Sequence, residues 1–309
     1  MHTSIRRLAM LSVALTSWSF AAPATFAADK VFDKKFAVSP GGTLNVDTAN
    51  GSLTVSGADV REVTIYATLS GSENMLRDFE ITAEQDRHGV SVHGTRAGGW
   101  WLDMSWLFGS NFRVKYDIQV PREYALELHT SGGNIDARNL QGNVNAHTSG
   151  GDIKLASVVG AVDLHTSGGD IQASQVTGNA LLRTSGGGIT ATDTSGELDL
   201  RTSGGTIHLQ NVEGKVSART SGGNIDASMR GANLGSTLRT SGGNIVIAVP
   251  SDFKATIDAH TSGGRVSCDL PLSSSDRDSD RNDLRGNING GGPTMIASSS
   301  GGNIRIRQK

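Results

Sequence analysis

The tetrapeptide Thr-Ser-Gly-Gly begins at Thr130, Thr148, Thr166, Thr184, Thr202 and Thr220, always 18 residues apart, and returns at Thr240 and Thr261. A variant, Ser299-Ser300-Gly301-Gly302, follows near the C-terminus. Self-similarity at a fixed short period means one small unit stacked on itself many times. Each repeat holds two short alternating stretches. Asn134-Ile135-Asp136-Ala137 and Asp152-Ile153-Lys154-Leu155 follow the glycines, while Val144-Asn145-Ala146-His147 and Val162-Asp163-Leu164-His165 precede the next motif. Period-two alternation puts Ile, Val, Leu and Ala on one face of a strand and polar residues on the other. Leu140, Val158, Val176 and Val212 stand between the stretches and suit a corner plug.

Strands of four or five residues cannot bury an apolar face alone. Coiling the chain so that each stretch stacks on its equivalent one repeat later solves this, with Ile on Ile at a rise of about 4.8 Å. The expected fold is all-β, a single-stranded parallel β-helix (β-solenoid) with 18-residue coils and a strand-rich N-terminal cap. Ten coils or so would make a rod about 50 Å long. Composition agrees. Aromatics are 5 % of the chain, and Phe253 is the sole one after Tyr124, so the core must be thin. Gly supplies 40 of 309 residues, nearly twice the usual ~7 %. A helix would not survive that density, and without Gly at every third place collagen is excluded. The glycines are expected where the chain turns with φ > 0.

Residues 1–27 carry Arg6 and Arg7, an apolar run over 8–22, and small residues at Ala22-Pro23-Ala24 and Thr25-Phe26-Ala27. This is the three-part pattern of a signal peptide, too short for a lasting membrane span. The expected location is periplasmic or secreted to the cell surface, with no transmembrane span after cleavage. Residues 29–122 read as a strand-rich region closing one end of the stack, with longer strands and larger side chains and a Trp-rich loop at 97–112. The regular solenoid covers 123–272, residues 273–283 (SSSDRDSDRND) read as a polar surface loop, and 284–309 as C-terminal coils. The last strand, with Arg305, Arg307 and Lys309, reads as a charged edge that blocks end-to-end polymerisation.

The repeated T-S-G-G-[ND]-I, the Val120-Pro121 before the repeats, and the endings VPSDFKATIDAHTSGGRVSCDLP and LRGNINGGGPTMIASSSGGNIRI carry a family resemblance. The chain resembles the bacterial putative-adhesin family of β-strand-repeat proteins, a domain of unknown function, and the related head domain of auto-transporter-like adhesins. The resemblance spans roughly 36–307. It implies a single-stranded β-helix exported to the cell envelope, and it brings no catalytic residues.

Chemistry is harder to find. Calcium-binding solenoids need an acidic residue at one fixed place, but the position after Ile reads Asp136, Lys154, Gln172, Thr190, His208, Asp226 and Val246. Ice-binding solenoids present paired Thr columns, and here there is one. The single cysteine, Cys268, excludes a disulfide framework and falls at an inward repeat position, where a small hydrophobe is the simpler account. No cofactor or metal is expected. A β-helical polysaccharide lyase or hydrolase is the rival reading, but Asp136, Asp163, Asp199, Asp226 and Asp258 all occupy repeat positions, which suits a surface ladder better than a catalytic cluster.

Two features stand out. Trp100, Trp101 and Trp106 lie within seven residues and suit either an end cap or a partner or membrane contact. The residue before each motif forms a basic column: His129, His147, His165, Arg183, Arg201, Arg219, Arg239 and His260. Arg183, Arg201, Arg219 and Arg239, with Asp199 alone two residues earlier, carry an excess of +3 and suit either a solvated face that discourages sideways aggregation or a shallow site for anionic polymers. The net charge of -2 gives no global field for nucleic acid. The expected function is an exported, monomeric, non-enzymatic scaffold or binding module, adhesin-like, whose partners are envelope glycans or other envelope proteins.

Overall fold

The computed structural model describes residues 28–96, 112–277 and 282–309. The expected signal peptide and Trp100, Trp101 and Trp106 lie outside the described residues. Within them are 25 strands and one short helix, Glu73–Asp78, and no helix is long and apolar enough to cross a membrane. The protein is all-β and β-solenoid-like.

The repeat sets the pairing. Strands leading into the motif pair parallel with their equivalents 18 residues on: Ala125–Thr130 with Val144–Thr148, then Val162–Thr166, then Ala180–Thr184. Strands leaving the motif form a second parallel ladder from Ile135–Gln141 through Ile153–Val159 and Ile171–Thr177 to Ile189–Thr192. The long strands Ile207–Thr220 and Ile225–Thr240 belong to both ladders and join them into one sheet.

Between the ladders lies the thin core. Leu53, Ile135, Ile153, Ile171, Ile189, Ile207, Ile225, Ile245 and Ile304 stack in register, each at most 1 % exposed. Burying each such side chain contributes on the order of 1.5–3 kcal/mol. Leu140, Val158, Val176 and Val212 fill the corner as their spacing suggests, and Phe253 is buried. Two extra residues in the repeat before Thr240 are absorbed as bulges, so Arg219 and Arg239 still pair. Asn233 anchors that irregular coil, its Nδ2 donating to Pro293 O at 2.5 Å and its Oδ1 accepting from the Gly235 amide at 3.0 Å.

The ends depart from the simple coil in two ways. First, antiparallel strands close them: Ala28–Ala37 on Glu62–Gly71, Glu62–Gly71 on Arg113–Pro121, and Phe79–Gln85 on Gly89–Arg96 at one end. At the other, Leu272–Arg277 and Asp283–Ile288 make a hairpin laid on Ala255–Thr261. Much of the expected polar loop at 273–283 is therefore strand, because Leu272 and Leu284 supply apolar anchors on either side of the charged run. Second, stacking order and chain order differ. Thr43–Thr48 and Ser52–Ala58 lie between later strands, Gly89–Arg96 and Arg113–Pro121 on one side and the first regular coil on the other. Likewise Thr294–Ser299 and Ile304–Gln308 are inserted between the coil ending at Val249 and the coil at 255–268. The strand with Arg305 and Arg307 is thus interior to its ladder, not the charged edge expected of a chain end. The outer strand there is Val266–Cys268, where Cys268 is half-buried with Sγ 3.7 Å from Leu270 O.

The motif glycines also act differently from the expectation. They do not carry positive φ. A Cβ on Gly151 would fall inside the van der Waals shell of Gly133 O in the coil below, so the second glycine is required by close approach of stacked backbones. Positive φ occurs instead at the opposite corner, at Asn139, Ser157, Gln175, Asp193 and Asn211, with φ between 52° and 60°, and at Gly160, Gly178, Gly196 and Gly214, where the expectation for glycine holds.

Candidate binding face

The residue just before the buried motif threonine points outward, and stacking lines these residues up. His129, His147 and His165 pair in register, followed by Arg183, Arg201, Arg219 and Arg239. Seven successive coils therefore present one basic side chain each on a single face. Asp47 pairs with His129 at one end of the run. At the other end the inserted coil places Ser298 beside Arg239, with His260 beyond it. His260 is not the next member of the column as its sequence position suggests, and its Nδ1 lies 2.7 Å from Asp283.

The histidines form a stack. The rings of His147 and His165 lie 4.9 Å apart and nearly parallel, and those of His129 and His147 lie 6.0 Å apart and tilted by 41°. Partial burial, then His165 and His129, hold the His147 imidazole below its ordinary value, so the neutral ring is favoured.

The arginines fall into two kinds. Arg201 donates from Nε and Nη2 to both Asp199 carboxylate oxygens, at 3.0 and 2.6 Å, and Arg219 donates from Nη1 to Ser217 Oγ at 3.0 Å. Arg183 and Arg239 are exposed and make no hydrogen bond or ion pair among the described residues. Alongside runs the second column, Glu127, Asn145, Asp163, Leu181, Asp199, Ser217 and Thr237, and a groove of about 580 Å³ follows it across several coils. Of the groove's carboxylates, Asp199 is held by Arg201, and Glu197 by Lys215 at 2.8 Å.

The motif threonine faces the other way. Thr148 Oγ1 donates to Gly133 O at 2.9 Å and accepts from the Gly151 amide at 3.4 Å, and Thr166, Thr184, Thr202 and Thr220 repeat the pattern. The threonine column is thus a buried internal seam, satisfied within the protein. A second seam escaped the sequence reading: Asn134 Oδ1 accepts from the Asp152 amide, Asp152 from Asp170, and Asp170 from Gly188, each bond 2.7–2.9 Å. Its signal was present in the Asn or Asp that precedes Ile135, Ile153, Ile171, Ile225, Ile245 and Ile304. No group of three or more acidic, histidine or cysteine side chains among the described residues is arranged to hold a metal ion.

Residues 42–307 match the family described as Toastrack DUF4097. The chain belongs to that family. The Toastrack match takes in the regular coils and the closing strands other than Ala28–Ala37, and with them every residue of the basic column. Among solved structures, a putative adhesin from Bacteroides fragilis NCTC 9343 is 13% identical, with 93% of this chain and 100% of that chain covered and a TM-score of 0.44. A putative cell adhesion protein from Clostridium sporogenes ATCC 15579 is 16% identical (91% and 100% covered, TM-score 0.23). A putative lipid binding protein from Parabacteroides distasonis ATCC 8503 is 13% identical (90% and 96% covered, TM-score 0.37). No curated protein matches.

Proposed function

We propose that this Toastrack protein is an exported, non-enzymatic scaffold or binding module of the cell envelope, adhesin-like, working as a monomeric rod. One observation carries the reading: coils stacked with the motif positions in register turn a single repeat position into an outward-facing row of seven basic side chains. Such a surface suits an extended partner, since every coil offers the same contact at the same spacing. A hydrolase needs the opposite, a few unlike groups converging on one point. The signal-peptide pattern of residues 1–27 supports export. The chain path supports a single-stranded β-helix through the regular coils, with antiparallel closures at both ends.

Two measurements test this. Scattering by the mature protein should give an elongated monomer, and a compact profile would sink the rod. A screen against bacterial and plant polysaccharides should give binding without turnover, and release of oligosaccharides would replace this reading with the lyase or hydrolase.

A further inference from the structure

We infer that the basic column is a binding site for an anionic polysaccharide, laid along the stack with one sugar unit per coil, and that its histidine end is recruited on acidification. The inference rests on the envelope-binding reading and specifies its ligand.

The geometry favours a chain over a plane or a point. The column is one residue wide and seven coils long, roughly 29 Å at the strand spacing. The four arginines span about 15 Å of it. A pyranose unit in an extended polysaccharide is about as long as one strand spacing, so sulfate, phosphate or uronate groups on successive sugars meet successive guanidinium groups. Arg183 and Arg239, exposed and without partners among the described residues, are ready to pair bidentately with such groups. Arg201 and Arg219 keep part of their donor set when held by Asp199 and Ser217, because a guanidinium has five donors. Like charges at this spacing repel only weakly in water, which the fold tolerates and a polyanion reverses.

The histidines extend the row. His129 faces Asp47 on the adjoining strand and shares its own strand with Glu127; His147 has Glu127 and Asp163 diagonally across and Asn145 on its own strand; His165 has Asp163 on its strand and Arg183 in register. In the free protein, partial burial and the rings on either side disfavour the His147 imidazolium. A polyanion lying over His147 favours its imidazolium form, so binding takes up protons and the footprint extends beyond the four arginine coils as the pH falls.

The test is binding of fluorescent dextran sulfate to the folded mature protein at about pH 7.5 and pH 5.5, over a salt series. Wild type should bind at both, more tightly in acid, with affinity falling steeply with salt. Changing Arg183, Arg201, Arg219 and Arg239 together to Gln should weaken binding about tenfold or more at the higher pH and flatten the salt slope. Changing His129, His147 and His165 to Asn should abolish the gain in acid, so that the affinities at the two pH values become equal. Circular dichroism establishes that each variant is folded. Equal binding by wild type and the arginine variant, or affinity indifferent to salt, would overturn the site. Preference for phosphatidylglycerol vesicles over dextran sulfate would overturn the glycan assignment. Neither result touches the rod, which scattering judges separately.

Discussion

The hydroxyl of Tyr116 lies 3.0 Å from Thr48 Oγ1, and Thr48 Oγ1 itself donates to Asn50 O at 2.8 Å. Because the threonine proton is committed to Asn50, the tyrosine is the donor in the pair. The bond links Arg113–Pro121 in the second ladder to Thr43–Thr48 in the first, where the N-terminal coil is inserted out of chain order. Gly94 leaves the room for it, since a Cβ there would collide with both oxygens. Burial pushes the Tyr116 phenol up to about 12 from its ordinary 10.

Alkaline denaturation should report this tyrosine. Below pH 10 the phenol keeps its proton whether the chain is folded or not, and its contribution is whole. Between pH 10 and pH 12 the unfolded chain releases the proton while the folded chain holds it, so stability falls by roughly 3 kcal/mol in all. Tyr116→Phe should cost about 1 kcal/mol at neutral pH, and urea melts should show a much shallower loss above pH 10. A residual slope belongs to Tyr124, whose phenol burial also pushes up, and to Lys215, whose ammonium the Glu197 carboxylate pushes up. An unchanged slope in the variant would show that Tyr116 is not what fails in base.

Thr194 should be improvable. It occupies the corner position held by Leu140, Val158, Val176 and Val212, is 1 % exposed, and its hydroxyl has no hydrogen-bond partner. A buried hydroxyl left unsatisfied costs about 1–3 kcal/mol, whereas Val has the same shape without that debt. Thr194→Val should raise stability by about 1 kcal/mol, read as a higher Tm in calorimetry; a lower Tm would mean the hydroxyl is satisfied.

The two glycines of one motif should behave oppositely. Gly151→Ala drives a methyl into the Gly133 carbonyl in the coil below, and neither backbone can yield without breaking its ladder; a loss of about 3 kcal/mol or more is expected. At Gly150 the nearest atom to an added Cβ is 3.9 Å away, so Gly150→Ala should stay within about 0.5 kcal/mol. Equal effects in a denaturant series would refute the close-approach account.

These contrasts mark what the sequence could and could not disclose. The 18-residue period makes Ile135, Ile153 and Ile171 equivalents, and equivalents that alternate with polar neighbours must stack, so register and core were legible. The basic column followed from the same arithmetic as far as Arg239. His260 did not, because a period says which residues are alike but not which coil lies next to which. Placing Ser298 between them depends on a terminal coil entering the stack, a long-range choice made by shape. The glycine role was missed for a related reason: a φ > 0 turn and a backbone close approach select the same residue type. The turn corner instead falls on Asn139, Ser157 and Gln175, which carry no shared signature.

Terminal insertion makes the last prediction. Chain ends ordinarily fray, and their amides exchange at nearly zero opening free energy. Here Ile304–Gln308 has Ile245–Val249 on one side and Val266–Cys268 on the other, and both Ile304 and Ile306 are fully buried. Ser299 continues the threonine seam, donating to Gly243 O at 2.9 Å, and Thr261 closes it by donating to Gly302 O at 2.7 Å. The final coil therefore cannot leave without losing a backbone ladder on each side. Hydrogen exchange should protect the Ile304 amide, which donates to Arg265 O at 2.9 Å, far above the level of a frayed tail though below the Ile245 amide, which donates to Asn303 O inside the stack, while Val266–Cys268, at the ladder's outer edge, exchanges first. Removing residues 293–309 should open a gap inside the stack, so that the coil at 255–268 loses its protection too. Rapid exchange at Ile304 in the intact protein, as in a frayed tail, would show that the last coil is not held between its neighbours.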